Sequence, residues 1–385
     1  MPTTTRNHNK ENERDFSSVS ESTQAAARGT LRSLLLRIIS FACTQWTIRV
    51  LDASTLGKAN IQLELLLTTI LFVSREGFRL SMTRNISTDN FNVAWLTIPL
   101  STVVSSIALA WHLSRYSHSS SKTSNGDIID QDFRTAGILY CFASWLESCA
   151  EPPVLFLLRK MDVSSRVSAE SFATVGKTLT TVIGLKNLHL RSSYPVTAMG
   201  ISQVAYSIIY FVLLYWKTWG QLPGPERKSP DGGTCKMTLV FTIQSLFKHL
   251  LTEADRIVLS TISSAYNQGV YAMGSAYGGM AARILLQPME ENARLLWSRL
   301  AQESSTSKLE DSYTILVKLV LYIGMLFSCV AVNYTHLVLN LLAGRKWGSN
   351  EEAISVLSAF CVYTAFLSGK FVRSSLRTYV HTKTV

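Results

Sequence analysis

Long uncharged blocks dominate the hydrophobic pattern of this chain. Phe91 to Trp111, Ser192 to Trp216 and Leu319 to Leu342 contain no Asp, Glu, Lys or Arg. Each is about 20 residues or longer, enough to cross the ~30 Å hydrocarbon layer of a bilayer as a helix. Three such blocks in one soluble domain would be very unusual, so the pattern predicts a polytopic membrane protein. The segments it predicts are Leu31–Ala53, Ala59–Phe78, Phe91–Leu113, Phe133–Leu158, Ser168–Leu190, Tyr194–Trp216, Thr238–Ile262, Gln268–Met289, Tyr313–Leu342 and Ala353–Ser368. The fifth, with Lys177 and Lys186, and the eighth, rich in Gly and Ala, are weakly hydrophobic. Such segments belong inside a bundle, where small residues allow close packing and polar ones avoid lipid.

The polar intervals organise the rest. Residues 1–30 form a Ser/Thr/Asn-rich stretch with Glu11, Glu13, Asp15 and Glu21 and no apolar core. That is unlike a signal peptide or an organelle transit peptide, and predicts a disordered cytosolic tail. Lys217 to Lys236, containing "LPGPERKSPDGG", combines Pro, Gly and charge without periodicity and reads as a linker. The expected layout is a first six-span half over 31–216, a linker over 217–237, and an incomplete second half over 238–368. A polar tail over 369–385 would close the chain. Placing the N-terminus in the cytosol puts most loop cations on that side, among them Arg84, Arg159, Lys160, Lys217, Arg227 and Lys228. The positive-inside rule favours that orientation. The sequon at Asn85 then faces the cytosol and should carry no glycan. The two sides of the linker are weakly self-similar: Arg49, Gly57 and "REGFR" on one, Arg256, Gly269 and "QPMEENAR" on the other. Repeated halves are a common transporter plan, with the substrate site at the repeat interface.

Composition supports the membrane reading. Of 385 residues, 47% are hydrophobic and only 16% charged, below the usual quarter. The formal net charge of +11 would suggest nucleic acid in a soluble chain. Here cytosolic loops account for it, and no nucleic acid is expected as a partner. The cationic excess also suits an anionic lipid or a phosphate-bearing ligand. The six cysteines are scattered, with no C-x-x-C, and no His cluster has metal spacing. The pattern therefore calls for no metal and no cofactor, and the missing Walker motif gives no indication of ATP-driven pumping.

Four places put ionisable groups at membrane depth or its edge. "SREGFR" sets Arg75 and Arg79 four apart on one helical face, with Glu76 beside them. "ESCAEPP" does the same for Glu147 and Glu151, and Pro152 disrupts the helix just beyond. Two like charges on one face of a membrane helix are costly unless protonated or paired, so a salt bridge to a neighbouring Arg stands beside a functional role. "LLTEADRIVLS" places Lys248, Thr252 and Arg256 on one face, with Glu253 close enough to pair with Arg256. "QGVYAMGSAYGGMAARILLQPMEEN" runs Arg283, Gln287 and Glu290 along one side. Gly278, Gly279 and Pro288 are its candidate hinges, as Pro152 is in the fourth segment. An isolated cation such as Lys177 reads first as a snorkelling or paired residue and only second as a ligand-binding one.

These motifs in this order resemble one family. "SREGFR", "ESCAEP", "AES" with Lys177, "LLTEADRIVL" and "NQGVY…ARILLQPMEEN" are similar to the eukaryotic Rft family, oligosaccharide-lipid translocation proteins of the endoplasmic reticulum. That family is grouped with the multidrug/oligosaccharidyl-lipid/polysaccharide flippases. The resemblance covers roughly Leu31 to Leu367 and is most specific from Leu250 to Asn292.

The resemblance implies an all-α polytopic helical bundle of two pseudo-repeated six-helix halves, the second cut short by a truncated or mis-spliced gene. It implies a multi-pass protein of the endoplasmic reticulum membrane that translocates, or assists in translocating, the dolichyl-pyrophosphate oligosaccharide of protein N-glycosylation. The expected partners are that lipid, the bilayer and other N-glycosylation proteins. Arg75, Glu76, Arg79, Glu147, Glu151, Lys177, Lys248, Glu253, Arg256, Arg283, Gln287 and Glu290 are the expected cavity residues, with basic groups for the pyrophosphate and carboxylates for sugar hydroxyls or gates. Arg75, Arg256 and Arg283 are expected to line one cavity. A non-transporting scaffold for the glycosylation machinery and an exporter of small cationic drugs remain as alternatives. The basic bias argues against the exporter. A glycosyltransferase comes last, for want of a large lumenal catalytic loop.

Overall fold

The computed structural model describes residues 41–42, 44–84, 91–117, 124–160, 162–225, 232–281, 286, 289 and 306–384. Every regular element among them is helical. In chain order these are α1 (Ala53–Gly57), α2 (Glu64–Arg84), α3 (Asn92–Trp95), α4 (Thr97–Ser117), α5 (Ser124–Cys149), α6 (Glu151–Arg159), α7 (Val163–Lys186) and α8 (Leu188–Ser193). Then come α9 (Pro195–Lys217), α10 (Gly232–Thr252), α11 (Ala254–Ile262), α12 (Ala265–Ala281), α13 (Thr306–Met325), α14 (Thr335–Leu342), α15 (Arg345–Gly348) and α16 (Glu351–Thr384). A π-helical stretch, Lys58–Leu63, joins α1 to α2 without interruption.

Among the described residues, five helical stretches are long and apolar enough to span a membrane: Ala53–Met82, Asn92–Ser114, Pro195–Lys217, Tyr313–Leu342 and Glu351–Lys370. Their apolar side chains are turned outward in a way a water-soluble protein would not tolerate. On α4, Val103, Ile107 and Trp111 recur every four residues and are each more than half exposed. Ile208, Val212 and Trp216 form the same kind of stripe on α9. In lipid such faces cost nothing, and the buried faces can instead hold small and polar residues.

Other predicted segments are helices with breaks. Phe133–Leu158 is divided at Ala150, because Pro152 and Pro153 lack the N–H groups that would bond back to Ser148 and Cys149. Thr238–Ile262 is divided at Glu253, whose φ/ψ of −101°/12° separates α10 from α11. Ser168–Leu190 appears as α7 and α8. The first part of Leu31–Ala53 and most of the end of Gln268–Met289 lie outside the described residues. The polar residues from Gly369 onward continue α16 to Thr384, a run with no Pro to stop it.

The chain folds as two compact units, 1–44 with 70–246 and 45–69 with 247–385. In the first, α9 is the central helix, packed against α5 and α7. Small residues on α7 let it approach: Ala169 and Ala173 are fully buried, and a side chain on Gly176 would meet Ile209. The N-terminus of α9 is held by Asp132 of α5. The buried Asp132 carboxylate accepts from the Val196 and Thr197 backbone N–H groups at 3.1 and 2.8 Å, satisfying donors that every helix start leaves free. At the loop before α7, Asp162 caps that helix by accepting from the Ser165 N–H at 3.1 Å, and its bonds with Ser165 hold its carboxyl below the usual aspartate range.

In the second unit α12 packs on α1 and on α16, and α16 also packs on α13. The α1–α12 crossing is reciprocal. A Cβ on Gly57 would lie 2.1 Å from the Ala265 carbonyl oxygen, and one on Gly269 would lie 1.7 Å from that of Ala53. Each helix thus presents an Ala-x-x-x-Gly face whose glycine admits the other's backbone. Beside the crossing, the Gln62 side chain in the π-helical stretch donates to the Gln268 side-chain oxygen at 2.8 Å.

Candidate functional site

The first unit concentrates its charge in a two-rung ladder. On α2, Arg75 and Arg79 lie one turn apart; Glu147 lies in the last turn of α5 and Glu151 opens α6. Arg75 Nη1 donates to Glu147 Oε1 at 2.8 Å. Arg79 forks onto Glu151, with Nη2 donating to Oε2 at 2.8 Å and Nε to Oε1. Glu151 is completely buried and the Arg79 side chain is 17% exposed. A bidentate guanidinium–carboxylate contact is the geometry that best offsets the desolvation of both charges.

The break at Ala150 matters here. Its N–H bonds back three residues, to the Glu147 carbonyl at 3.2 Å, so the chain turns tightly between the two glutamates. Both carboxylates still meet the same face of α2. The opposite face of α2 has a different task. A Cβ on Gly77 would lie 2.0 Å from Thr242 Oγ1 of α10, and the Thr238 hydroxyl bonds to that of Ser81 at 2.7 Å. Within "REGFR" the arginines therefore face α5 and α6 while the glycine between them admits α10.

A third helix completes the ladder. Tyr206 and Tyr210, one turn apart on α9, stack with ring centroids 5.8 Å apart and planes 14° from parallel. Tyr206 lies in the electrostatic field of Glu147 and Arg75, and Tyr210 in that of Glu151 and Arg79. One turn before Tyr206, Gln203 is buried with its side-chain oxygen unpaired among the described residues. Neither tyrosine nor Gln203 stands out by charge, yet hydroxyls spaced i, i+4 in an uncharged span were a signal available in the sequence. Glu76 is half-buried beside this array and adds to the field at Arg79. Lys177 is half-buried on α7, in the same unit.

The second unit holds a looser set. Glu253, at the α10–α11 break, pairs with Arg256 at 3.1 Å, and Asp255 accepts from the Tyr271 hydroxyl. Lys248 is exposed, and α11 has no buried residue. Gly278 lies in the regular helix α12, pressed against Phe360, whose Cβ would be 2.4 Å from a Cβ there; Gly279 follows in the same helix. Arg283, Gln287, Pro288 and Glu290 lie outside the described residues. Pro152 is the break-forming residue already described.

The ladder supplies two cations paired with two carboxylates, with two stacked phenols within their electrostatic reach. It can exchange partners: an anion entering between α2 and α5 could take a guanidinium from its glutamate, and the freed carboxylate could accept hydroxyl hydrogens. The described residues contain no group of three or more His, Cys, Asp or Glu side chains that could hold a metal ion.

A family profile described as Rft protein matches residues 21–370. The Man(5)GlcNAc(2)-PP-dolichol translocation protein RFT1 of Schizosaccharomyces pombe is 26% identical, with 91% of this chain aligned to 71% of that protein. The protein of the same name from Mus musculus is 23% identical, over 90% of this chain and 69% of its own length. Among solved structures, an inward-facing multidrug resistance MATE family transporter of the MOP superfamily matches with a TM-score of 0.59. It covers 90% of this chain and 81% of its own at 10% identity, a likeness of fold alone.

Proposed function

This chain belongs to the Rft protein family, and from that premise we propose that it translocates the dolichyl-pyrophosphate-linked oligosaccharide Man5GlcNAc2-PP-dolichol. Movement would run from the cytosolic to the lumenal leaflet of the endoplasmic reticulum membrane, in protein N-glycosylation. The names of its relatives support the substrate, and the transporter-like fold supports a translocating mechanism. The observation that carries the reading is the buried ladder of Arg75–Glu147 and Arg79–Glu151 beside Tyr206 and Tyr210. A pyrophosphate would compete with the two glutamates for the guanidinium groups, while the sugar replaces the arginines as the glutamates' hydrogen-bond partner. The polyprenyl tail stays in lipid. Exchange of this kind couples substrate entry to release of the α2–α5/α6 clasp within the first unit. The N-terminus would lie in the cytosol.

The test is translocation of the lipid-linked oligosaccharide in liposomes containing the purified full chain. Wild-type protein is expected to move it, and Arg75→Gln with Arg79→Gln to slow transfer at least tenfold. Transfer equal to that of protein-free liposomes would overturn the translocator reading. The closed charge balance of the ladder favours a second reading, a non-transporting support for the glycosylation machinery. That reading expects normal glycosylation in cells from a protein inactive in liposomes.

A further inference from the structure

The second unit contains a cavity that the ladder does not use. It has a volume of about 320 Å³ and is lined by Asp52, Ala53, Ser54, Tyr266, Lys346, Trp347 and Asn350. Its walls are helix ends: the start of α1, the start of α12 and the α15–α16 junction. Such ends fall where spans leave the hydrocarbon, and Asp52 and Lys346 are accordingly 73% and 53% exposed. We propose that this cavity is a carbohydrate subsite, taking a short neutral segment of the glycan headgroup at the membrane surface.

The chemistry of the lining carries the choice. Asp52 stands at the N-cap of α1 but makes no side-chain cap bond; its carboxylate instead meets the Lys346 ammonium. The pair sums to no net charge, and the exposed Arg345 beside Lys346 is outweighed by Glu351 and Glu352 at the start of α16, both exposed. A phosphate would find no cationic excess there. Arg49 is close in the chain, but it donates to the Leu341 and Leu342 carbonyls at the end of α14. Vicinal hydroxyls fit better, since one can donate to Asp52 while its neighbour accepts from Lys346. Asn350 Nδ2 donates to the Tyr266 hydroxyl at 2.5 Å, leaving that hydroxyl its own proton to give. The Ser54 side chain is exposed. Trp347 is buried with its indole N–H donating to the Ile48 carbonyl at 3.0 Å, so it serves as a fixed apolar wall. Tyr266, 42% exposed, supplies a second ring. Polar groups of both kinds converging on an aromatic wall suit a pyranose, which has hydroxyl edges and apolar faces. The volume is at the low end of the usual ligand range of about 300–1,000 Å³, enough for a short sugar segment and too small for a polyprenyl chain.

The choice of an oligomannose as the sugar rests on the proposed function; the preference for a neutral sugar over an anion does not. The experiment measures binding of free, water-soluble Man5GlcNAc2 to the full chain in lipid nanodiscs, by calorimetry and tryptophan fluorescence, beside inorganic pyrophosphate. Wild-type protein is expected to bind the sugar. Asp52→Asn and Lys346→Met should each weaken it at least tenfold, and Tyr266→Phe about threefold, with melting temperatures unchanged because the ion pair is exposed. No sugar binding by wild type, equal binding by these variants, or pyrophosphate binding that the same variants abolish would overturn the subsite. Liposome translocation on the same proteins separates the two readings. Sugar binding lost in Asp52→Asn, with no translocation even by wild type, leaves the subsite standing and removes the translocator. Translocation without cavity-dependent sugar binding does the reverse.

Discussion

At the scale of residues, the two rungs of the ladder are unequal. Glu151 is completely enclosed and makes two bonds with Arg79, while Glu147 makes one with an Arg75 that is 20% exposed. Removing one partner of a buried pair leaves an uncompensated charge, at a cost of about 3–5 kcal/mol. Glu151→Ala is therefore expected to cost about that much, and Glu147→Ala about 1–3 kcal/mol, the price of a single charged bond left unmade. Thermal melts of the purified variants check the order. The exchange Arg79→Glu with Glu151→Arg should recover part of the loss, and a double-mutant cycle showing no coupling would refute the pairing. The arginines and glutamates were each visible in the sequence as i, i+4 pairs, and a salt bridge was one of two open readings for the glutamates. Tyr206 and Tyr210 carry no charge, and only their i, i+4 spacing marks them in the sequence.

Between elements, small residues and one carboxylate set the approach distances. Gly57 and Gly269 occupy matching places in the weak internal repeat, and the fold brings these two together at one crossing. Gly57→Val and Gly269→Val should each cost about 1–3 kcal/mol through overpacking, and the double variant should cost less than their sum because both strain one contact. Gly224→Ala is the control, as nothing lies within 4 Å of a Cβ there. The Asp132 bond to α9 is a cap supplied from another helix. Asp132→Ala should cost about 1–2 kcal/mol and Asp132→Asn less, because an amide still accepts the Thr197 N–H. Amide exchange at Val196 and Thr197 would locate the effect. Gly57 and Gly269 were legible as members of a repeat but not as neighbours, and Asp132 was not legible at all. Its partners are 64 and 65 residues away, beyond any local pattern.

For the whole molecule, the apolar blocks alone specified a polytopic helical membrane protein, and the ordered motifs specified the family. Span lengths follow from bilayer thickness, and loop cations from the charge difference across it, so both are written as local averages of the chain. The order of "SREGFR", "ESCAEP" and "LLTEADRIVL" carried the rest, and the family match over 21–370 agrees. The tertiary structure alone decided which groups meet. Arg75 finds Glu147, and Arg79 finds Glu151, each across 72 residues. Residues 45–69 pack with 247–385 rather than with the spans that follow them. Asp52 reaches Lys346 across 294 residues to close one wall of a cavity. Hydropathy acts between a residue and its solvent and can be read one segment at a time. A contact between two side chains depends on where both helices lie, and that depends on every other packing choice in the fold.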